Sequence, residues 1–529
     1  MIARFFCARQ STSSTLESRR APVKKDPPRS AAFRARGNAH RRIRPPPHVL
    51  HHTGHEPAAH RHTTLEDMAN FTASGAPLGF TNPPVPPFTP QSLQAADELY
   101  PYDPSRSLTD AAALRAQGFT PEESAAILTL VKTRTRAEAK FGERARHLLL
   151  TEEGFEQSTR SPVARYHARR FLKAQVGSVA DLGCGIGADS VAFASAGLAT
   201  VSVERDPVTA SFAAHNLASY GQSRVLVGDV TDYEHGALCT AAGEPVQGIW
   251  CDPARRELEG AKKARTERIF DPEAFSPPFS FVLSLAQLGV PMGVKLGPGT
   301  AHEAIPSPED IAGAANPQPR VEAQWVQHAG SVVELVLWFN AAARESVARA
   351  ATIVGDAGEV LGEMTSAEPL GTAAPLAAPD DGAGLPVAGG YLYEPSGAVI
   401  RAGLVHDLAC AVGAHRIDPR IAYLSAEHPL PASYAEFAAC YEVLERVPVG
   451  QKQLKRWVRE HGINAVTIKK RGVDIVPEKL RAALLAGVKK KKGEYKPATL
   501  VFTRVGGSGE DAARTEHVGW WVRPLGAAE

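Results

Sequence analysis

The feature that most constrains the fold is a nine-residue stretch, VADLGCGIG, which begins at Val179 and ends at Gly187. Its first half has the apolar composition of a buried strand, and its second half has glycine at every other position. Glycine adopts positive φ angles without a steric penalty and lets a ligand approach the backbone closely. A strand followed by such a turn and then by a helix is typical of nucleotide-binding α/β proteins. The spacing is G-x-G-x-G, however, and Ala188 stands where the pyrophosphate-binding fingerprint has its last glycine.

Short apolar segments recur after this turn at intervals that leave room for helices. Five of them predict strands that alternate with helices, and two more follow without a long helix between them. Strands and helices in alternation, closed by a hairpin, predict a doubly wound α/β sheet with an antiparallel last strand. The predicted strands span 178–181, 200–204, 224–228, 248–251, 292–296, 321–326 and 332–339.

Acidic residues stand at the ends of the first three predicted strands, at Asp181, Glu204 and Asp229. Because the carboxyl ends of parallel strands meet at one edge of a sheet, we expect the three carboxylates to face the same ligand. Glu204 is placed to accept hydrogen bonds from both hydroxyls of a ribose, and Asp229 to reach an adenine amino group. Any one of them could instead cap the helix that follows. Three acids at the ends of three successive strands favour a nucleoside ligand over capping alone.

Asp181 distinguishes between two cofactors, because a carboxylate beside the glycine turn would repel a pyrophosphate such as that of NAD. It would attract an ammonium or a sulfonium, and S-adenosylmethionine (SAM) carries both. Residues 179–229 also resemble the SAM-binding half of class I methyltransferases, and the closing hairpin is similar to the reversed final strand of that family. The resemblance implies a Rossmann-like sheet of seven strands. We therefore expect SAM to be bound by Asp181, Gly183, Gly185, Gly187, Glu204 and Asp229.

The segment IWCDPARR, 249–256, ends the fourth predicted strand, next to the expected methyl donor. Many methyltransferases that act on amino nitrogens have Asp or Asn, two prolines and an aromatic residue here. In that pattern the carboxylate and a carbonyl oxygen accept hydrogen bonds from the target amine and direct its lone pair toward the sulfonium. We therefore expect Asp252 and Pro253 to position the methyl acceptor. Ala254 and Arg255 replace the second proline and the aromatic ring, and this weakens the case for an exocyclic amine.

Arg255 and Arg256 complete this segment. A guanidinium there can stack on a base or contact a phosphate, so we expect both arginines to hold RNA, with ordinary surface charges as the alternative. A D-P-x-R pattern also resembles uracil-C5 RNA methyltransferases, which need a nucleophilic cysteine after the following strand. Residues 293–305 contain no cysteine, and Cys251 lies on a buried strand, so covalent uracil chemistry is disfavoured. Lys295 is expected at the same edge, either in the site or in an ion pair.

The basic charge of the C-terminal region is concentrated between Lys452 and Lys496, which carries 14 Lys and Arg against 4 Asp and Glu. Basic residues spread through a folded module favour binding to a phosphate backbone over a merely solvated face. Residues 390–524 resemble the THUMP-like domain that follows the methyltransferase domain in a family of bacterial proteins. The matching segments are YLYEPSGAVIRAG, LKRWVREHGINAVTIKKRG and ATLVFTRVG, and the same family carries D-P-A-R-R after its fourth strand. The resemblance implies RNA modification, with tRNA as the substrate.

The cysteines and the apolar segments bear on where the protein resides. Six cysteines lie far apart without a C-x-x-C pair, which favours a reducing cytoplasm over a disulfide framework or a zinc site. No apolar run reaches the roughly 18 residues that a membrane span needs.

The rest of the sequence sets the predicted domain boundaries. The Arg-, Pro- and His-rich start predicts a disordered tail, with a transit peptide or a true start at Met68 as alternatives. The predicted divisions are a basic tail at 1–67, a Pro-rich lead-in at 68–106, a helical segment at 107–175, the methyltransferase domain at 176–345, a connecting segment with a flexible linker at 346–389 and the THUMP-like domain at 390–529.

These observations predict a SAM-dependent methyltransferase that modifies a base in RNA. One alternative within enzymes is a methyltransferase for a small molecule or a protein. An alternative from another class is an RNA-binding protein whose methyltransferase fold is catalytically silent.

Overall fold

The computed structural model describes residues 79–233, 238–255, 272–370, 384–488, 495–506 and 515–526. The predicted tail at 1–67, Arg256 and the lysine run at 489–492 lie outside the described residues, as do 371–383 of the predicted linker. Among the described helices, none combines the length and the apolar composition needed to cross a bilayer.

Among the described residues, five α-helices precede the glycine turn. The longest begins at a capping box, in which Thr120 and Glu123 bond each other's backbone amides and Pro121 takes the first helical position. It ends at Gly142, whose φ is +63°. Ile186 of the glycine turn packs in one apolar cluster with Ala137 and Phe141 of this helix and with Ala145 and Leu150 after it. The end of the helix and the segment that follows it therefore contact the turn. The helices are α1 (Pro90–Leu99), α2 (Ser107–Ala116), α3 (Pro121–Phe141), α4 (Glu152–Gln157) and α5 (Ser161–Lys173).

The central part of the chain forms a nine-stranded sheet. Its elements are β1 (Ser178–Leu182), α6 (Ala188–Ser195), β2 (Ala199–Glu204), α7 (Pro207–Leu217), β3 (Ser223–Val227), β4 (Gly248–Cys251), β5 (Ala254–Arg255), β6 (Phe275–Ser276), α8 (Phe279–Ala286), β7 (Met292–Leu296), β8 (Val321–His328), β9 (Ser331–Phe339), β10 (Arg349–Val354) and β11 (Val360–Ser366). Strands β5 and β6 form a separate short ribbon, and the others are ordered β11-β10-β8-β9-β7-β4-β1-β2-β3.

The pairing in this sheet confirms the predicted α/β class. Strands β3, β2, β1, β4 and β7 are parallel, and β9 runs antiparallel between β7 and β8. Strand β1 is buried at every position, as expected for a strand with helices on both faces. The sheet has two strands more than the predicted seven, because β10 and β11 extend its far edge. Both lie within the segment 346–389, which the sequence predicts as a connection.

The C-terminal part forms a second, seven-stranded sheet, ordered β13-β14-β12-β15-β18-β17-β16. Only β16 and β17 pair in parallel; the other neighbours are antiparallel. The elements are β12 (Tyr391–Pro395), α9 (Gly397–Arg401), α10 (Val405–Ala411), β13 (His415–Asp418), β14 (Ile421–Ala426), β15 (Ala438–Arg446), α11 (Gln451–Glu460), β16 (Ala465–Arg471), α12 (Pro477–Leu485), β17 (Pro497–Val505) and β18 (Glu516–Leu525).

Helix α9 joins the two sheets through buried contacts. The backbone amide of Ala398 donates to Oε1 of Gln327 on β8 at 3.2 Å. The guanidinium of Arg349 on β10 donates to the carbonyl oxygens of Ala402 and Gly403, at 3.0 and 2.6 Å. One apolar cluster also contains buried residues of both parts. The first sheet and the C-terminal sheet therefore share a core, which fixes one against the other.

Candidate active site

The glycine turn adopts the backbone geometry that the sequence predicts. The φ angles of Gly183, Gly185 and Gly187 are +86°, +55° and +82°, which disfavour any residue with a side chain. A Cβ at Gly183 would lie 3.5 Å from the carbonyl oxygen of Asp252, in the gap between the turn and the end of β4. A Cβ at Gly185 would meet no heavy atom within 4 Å among the described residues. A Cβ at Gly187 would lie 3.4 Å from that of Ala213 on α7, so the turn is open at Gly185 and packed at Gly187.

Asp181 lies beneath this turn, with only 1% of its surface exposed. The hydroxyl of Ser190 on α6 donates to its carboxyl group. Burial, with the nearby Asp189 adding to it, raises the pKa of Asp181 to about 8. The carboxyl group is therefore mostly protonated at neutral pH, which differs from the negative charge that the sequence predicts at this position. Its contact with the sulfonium or the ammonium of SAM stays a prediction.

Glu204 is half-buried at the end of β2 and is tied to the glycine turn. Its Oε2 accepts the backbone amide of Gly185 at 3.0 Å, and its Oε1 accepts that of Asp206 at 2.9 Å. Asp229, after β3, accepts the backbone amide and the hydroxyl of Thr231 at 2.9 and 2.8 Å. Asp229 therefore performs the capping that the sequence left as an alternative, at the short 3-10 helix that follows it. Glu204 binds loop amides instead, because the cap of α7 is Asp206. Both acids stand at the sheet edge that the glycine turn occupies.

Asp252 forms an ion pair with Lys295, which stands near the end of the neighbouring strand β7. The side chain of Asp252 is 31% exposed and that of Lys295 is 12% exposed, so the carboxylate is the more accessible partner. Burial raises the pKa of Asp252, and the Lys295 ammonium limits that rise. Burial alone would lower the pKa of Lys295. The nearby carboxylates of Asp252, Asp189 and Glu334 outweigh the effect of burial, so the pKa is raised. Lys295 thus forms the ion pair that the sequence left as one of two alternatives, and its role in the site stays a prediction.

A buried chain of polar side chains continues from Lys295, and the sequence did not predict it. Nζ of Lys295 donates to Oγ1 of Thr159 at 3.0 Å, and this hydroxyl donates to Oδ2 of Asp189 at 2.6 Å. The other oxygen of Asp189 lies 2.9 Å from Nδ1 of His167, whose Nε2 lies 2.6 Å from Oε1 of Glu334. Its members are far apart in sequence, so no motif spacing could have revealed the chain.

His167 is fully buried between these two carboxylates, and its ring also packs 4.3 Å from that of Trp250. Burial alone would lower the pKa of His167, but Glu334 and Asp189 outweigh it and raise the pKa to about 9. Both ring nitrogens face carboxylate oxygens, which can only accept, so the charged imidazolium is the form that satisfies both bonds.

This histidine predicts how stability depends on pH. Because its folded pKa of about 9 exceeds the ordinary value near 6.5, its stabilising contribution is complete below pH 6.5. The contribution is lost as the pH rises through 9, and we expect it to be on the order of 1–3 kcal/mol. Urea unfolding of the wild type and of His167→Gln between pH 6 and 9.5 measures it. The wild type should lose more free energy of unfolding than the variant over this range, and parallel curves would contradict the assignment.

The rest of the predicted acceptor segment is described only in part. Cys251 is fully buried, and burial raises the pKa of its thiol, which disfavours the nucleophilic thiolate. Pro253 is buried directly after Asp252. The backbone of Arg255 pairs with Phe275 in the short β5–β6 ribbon. The side chain of Arg255 and the whole of Arg256 lie outside the described residues, so their contacts with RNA stay predictions.

The basic region of the C-terminal sheet divides into internal and external charges. Lys469 and Arg471 bind Glu394 at 2.7 and 3.4 Å and hold β16 close to β12. Nε of Arg481 donates to the carbonyl oxygen of Val466 at 2.9 Å. Other cations in this region are exposed, namely Lys452, Arg456, Arg459, Lys470 and Lys479. We call these five residues the basic face. Of these, Arg456 also lies 3.7 Å from a carboxylate oxygen of Glu460, and Arg459 donates to the carbonyl oxygen of Ala486 at 3.4 Å.

The parallel strands, the reversed β9 and the glycine turn at the end of β1 together define a class I methyltransferase fold. The solved structure of a protein from Porphyromonas gingivalis W83, provisionally named a methyltransferase, superposes on it with a TM-score of 0.60. The two sequences are 19% identical, and the match covers 82% of this chain and 98% of that one. At this identity the likeness supports the fold alone.

Sequence comparison then gives the family. Proteins from two strains of Mycobacterium tuberculosis, CDC 1551 and H37Rv, are each named an uncharacterized S-adenosylmethionine-dependent methyltransferase. Each is 31% identical to this chain over 378 residues, which are 70% of this chain and 90% of the relative. Residues 438–517 also match the THUMP domain-like family. The chain therefore belongs to this family of SAM-dependent methyltransferases, with SAM as its cofactor and a THUMP-like domain at its C-terminus.

Proposed function

We propose that this methyltransferase modifies a base in RNA, with tRNA as the substrate, and that it acts in the cytoplasm. The observation that carries the proposal is the basic face, which lies on a THUMP-like domain fixed to the catalytic domain through helix α9. Exposed cations attract a phosphate backbone, and a shared core would hold bound RNA at one orientation to the site. Six cysteines that lie far apart without a C-x-x-C pair favour a reducing compartment.

In the proposed site, SAM supplies a methyl group on a positively charged sulfur, and the chain supplies its binding surface. Backbone groups of Gly183, Gly185 and Gly187 face the cofactor. Glu204 accepts hydrogen bonds from the ribose hydroxyls while it holds the turn through Gly185. Asp229 reaches the adenine. Asp181 supports the turn from below through Ser190, and it contributes charge only when it is ionised.

On the acceptor side, Asp252 accepts a hydrogen bond from the atom to be methylated, with Pro253 fixing the backbone next to it. The Lys295 ammonium favours the ionised, purely accepting form of Asp252. Arg255 and Arg256 hold the RNA around the target base. The buried, protonated thiol of Cys251 supports an acceptor activated by Asp252 over a covalent adduct with that cysteine.

Nucleoside mass spectrometry of RNA from cells with and without the gene tests this function directly. We expect one methylated nucleoside to disappear from the tRNA fraction when the gene is deleted. Purified protein with labelled SAM should then restore it on RNA from the deletion strain. An unchanged nucleoside profile, together with transfer to a small molecule or a protein, would contradict the RNA assignment.

The basic face predicts a specific loss of RNA affinity. Lys452→Glu combined with Arg456→Glu on α11 should weaken tRNA binding roughly 10- to 100-fold at moderate salt, because both cations are exposed and release counterions on binding. The slope of log affinity against log salt should also become shallower by about 1–2. Filter binding at several salt concentrations measures both quantities.

The matched control for this prediction reverses two exposed cations on the N-terminal helices, Arg115→Glu and Lys132→Glu. It changes the net charge of the protein by the same amount. Equal losses of affinity in the two variants would mean that only the overall charge matters, and the basic face would not be the contact surface.

A further inference from the structure

The buried chain beside Asp252 has only one possible direction of hydrogen bonding. An ammonium can only donate and a carboxylate can only accept, so Thr159 must accept from Lys295 and give its single proton to Asp189. Asp189 in turn accepts from His167, and Glu334 accepts the other ring proton. No member can reverse its bond without leaving a buried polar group unsatisfied, and such a group costs free energy.

Thr159 is the member that connects this chain to the site. It is 6% exposed and stands just before α5, in the helical segment that precedes the glycine turn. Lysine side chains lose considerable rotamer entropy when they are held in one geometry, and a single ion pair leaves an ammonium free to swing around its partner. The second acceptor, Oγ1 of Thr159, fixes the direction in which the Lys295 ammonium approaches Asp252.

We propose that Thr159 is a positioning residue for methyl transfer: it orients Lys295, which orients the carboxylate of Asp252 toward the acceptor. The Asp189–His167–Glu334 part of the chain holds Thr159 in the accepting orientation. The inference rests on the proposed acceptor role of Asp252. It also gives the N-terminal helices a part in the site, because Thr159 belongs to neither sheet.

The kinetic test compares two substitutions at this position. Thr159→Val keeps the branched shape but lacks the hydroxyl, and Thr159→Ser keeps the hydroxyl. We expect kcat on RNA from the deletion strain to fall about tenfold in Thr159→Val, as for one lost hydrogen bond to a charged group. The KM values for SAM and RNA should stay within about twofold, and Thr159→Ser should recover most of kcat. Equal kcat values in Thr159→Val and Thr159→Ser would overturn the proposal.

A second measurement needs no acceptor RNA. In protein labelled with 15N-lysine, the ammonium signal that vanishes in Lys295→Met belongs to Lys295. We expect this signal to be protected from solvent exchange in the wild type and in Thr159→Ser, and to broaden in Thr159→Val. An unchanged signal in Thr159→Val would show that Thr159 does not hold Lys295. If the wild type transfers no methyl group to RNA, the proposed substrate fails, and this signal still decides the role of Thr159.

Discussion

Asp252→Ala should lose methyl transfer by at least 100- to 1,000-fold and keep its affinity for SAM within about threefold. The loss is large because the carboxylate is expected to act on the acceptor at the moment of transfer, where one misplaced hydrogen-bonding group costs several kcal/mol. SAM affinity should survive because the groups proposed to bind it are the glycine turn, Glu204 at the end of β2 and Asp229 after β3. Single-turnover assays with labelled SAM measure the first quantity, and calorimetric titration of SAM the second.

Two comparisons separate this prediction from a general loss of structure. Glu204→Ala should show the opposite pattern, with SAM affinity reduced because Glu204 holds Gly185 and is placed for the ribose. Asp232→Ala removes an exposed carboxylate just beyond β3 and should change neither quantity. If Asp252→Ala weakened SAM binding as much as Glu204→Ala does, the division between a cofactor side and an acceptor side would be wrong.

The parallel part of the fold was predictable because its signals are local. Each buried strand is a short apolar run, and the glycine turn after β1 fixes both the order of elements and the ligand edge. The first five predicted strands all occur, with ends that shift by one residue at most. The sequence did not predict strands β10 and β11, because they are strands through their pairing in the sheet and not through a local sequence pattern. Strand β10 pairs with β8, some 26 residues earlier in the chain.

The positions of the candidate site residues were predictable only where these residues stand at or next to strand ends. Asp181, Glu204, Asp229 and Asp252 share one sheet edge because parallel strands place them there. Their environment was not predictable. The sequence could not show that Asp181 would be buried against Ser190 or that Lys295 would reach both Asp252 and Thr159, because these contacts depend on tertiary packing.

Gly183→Val should reduce SAM affinity at least 100-fold. A side chain here would project into the gap between the turn and Asp252, because a Cβ at Gly183 would lie 3.5 Å from the carbonyl oxygen of Asp252. The substitution also forces a β-branched residue to a φ of +86°, at a cost of about 1–2 kcal/mol in stability. Calorimetric titration of SAM, with thermal unfolding to measure the stability cost, tests both effects.

Gly197 provides the matched control for this substitution. Its φ is +90°, so Gly197→Val pays a similar backbone cost, but it lies between α6 and β2, where a Cβ would meet no heavy atom within 4 Å among the described residues. The two variants should therefore lose similar stability, and only Gly183→Val should lose SAM. If both kept their affinity, the turn at Gly183 would not lie against the cofactor. If both lost it, backbone strain rather than occupied space would explain the effect, and the glycine turn would act only through the fold.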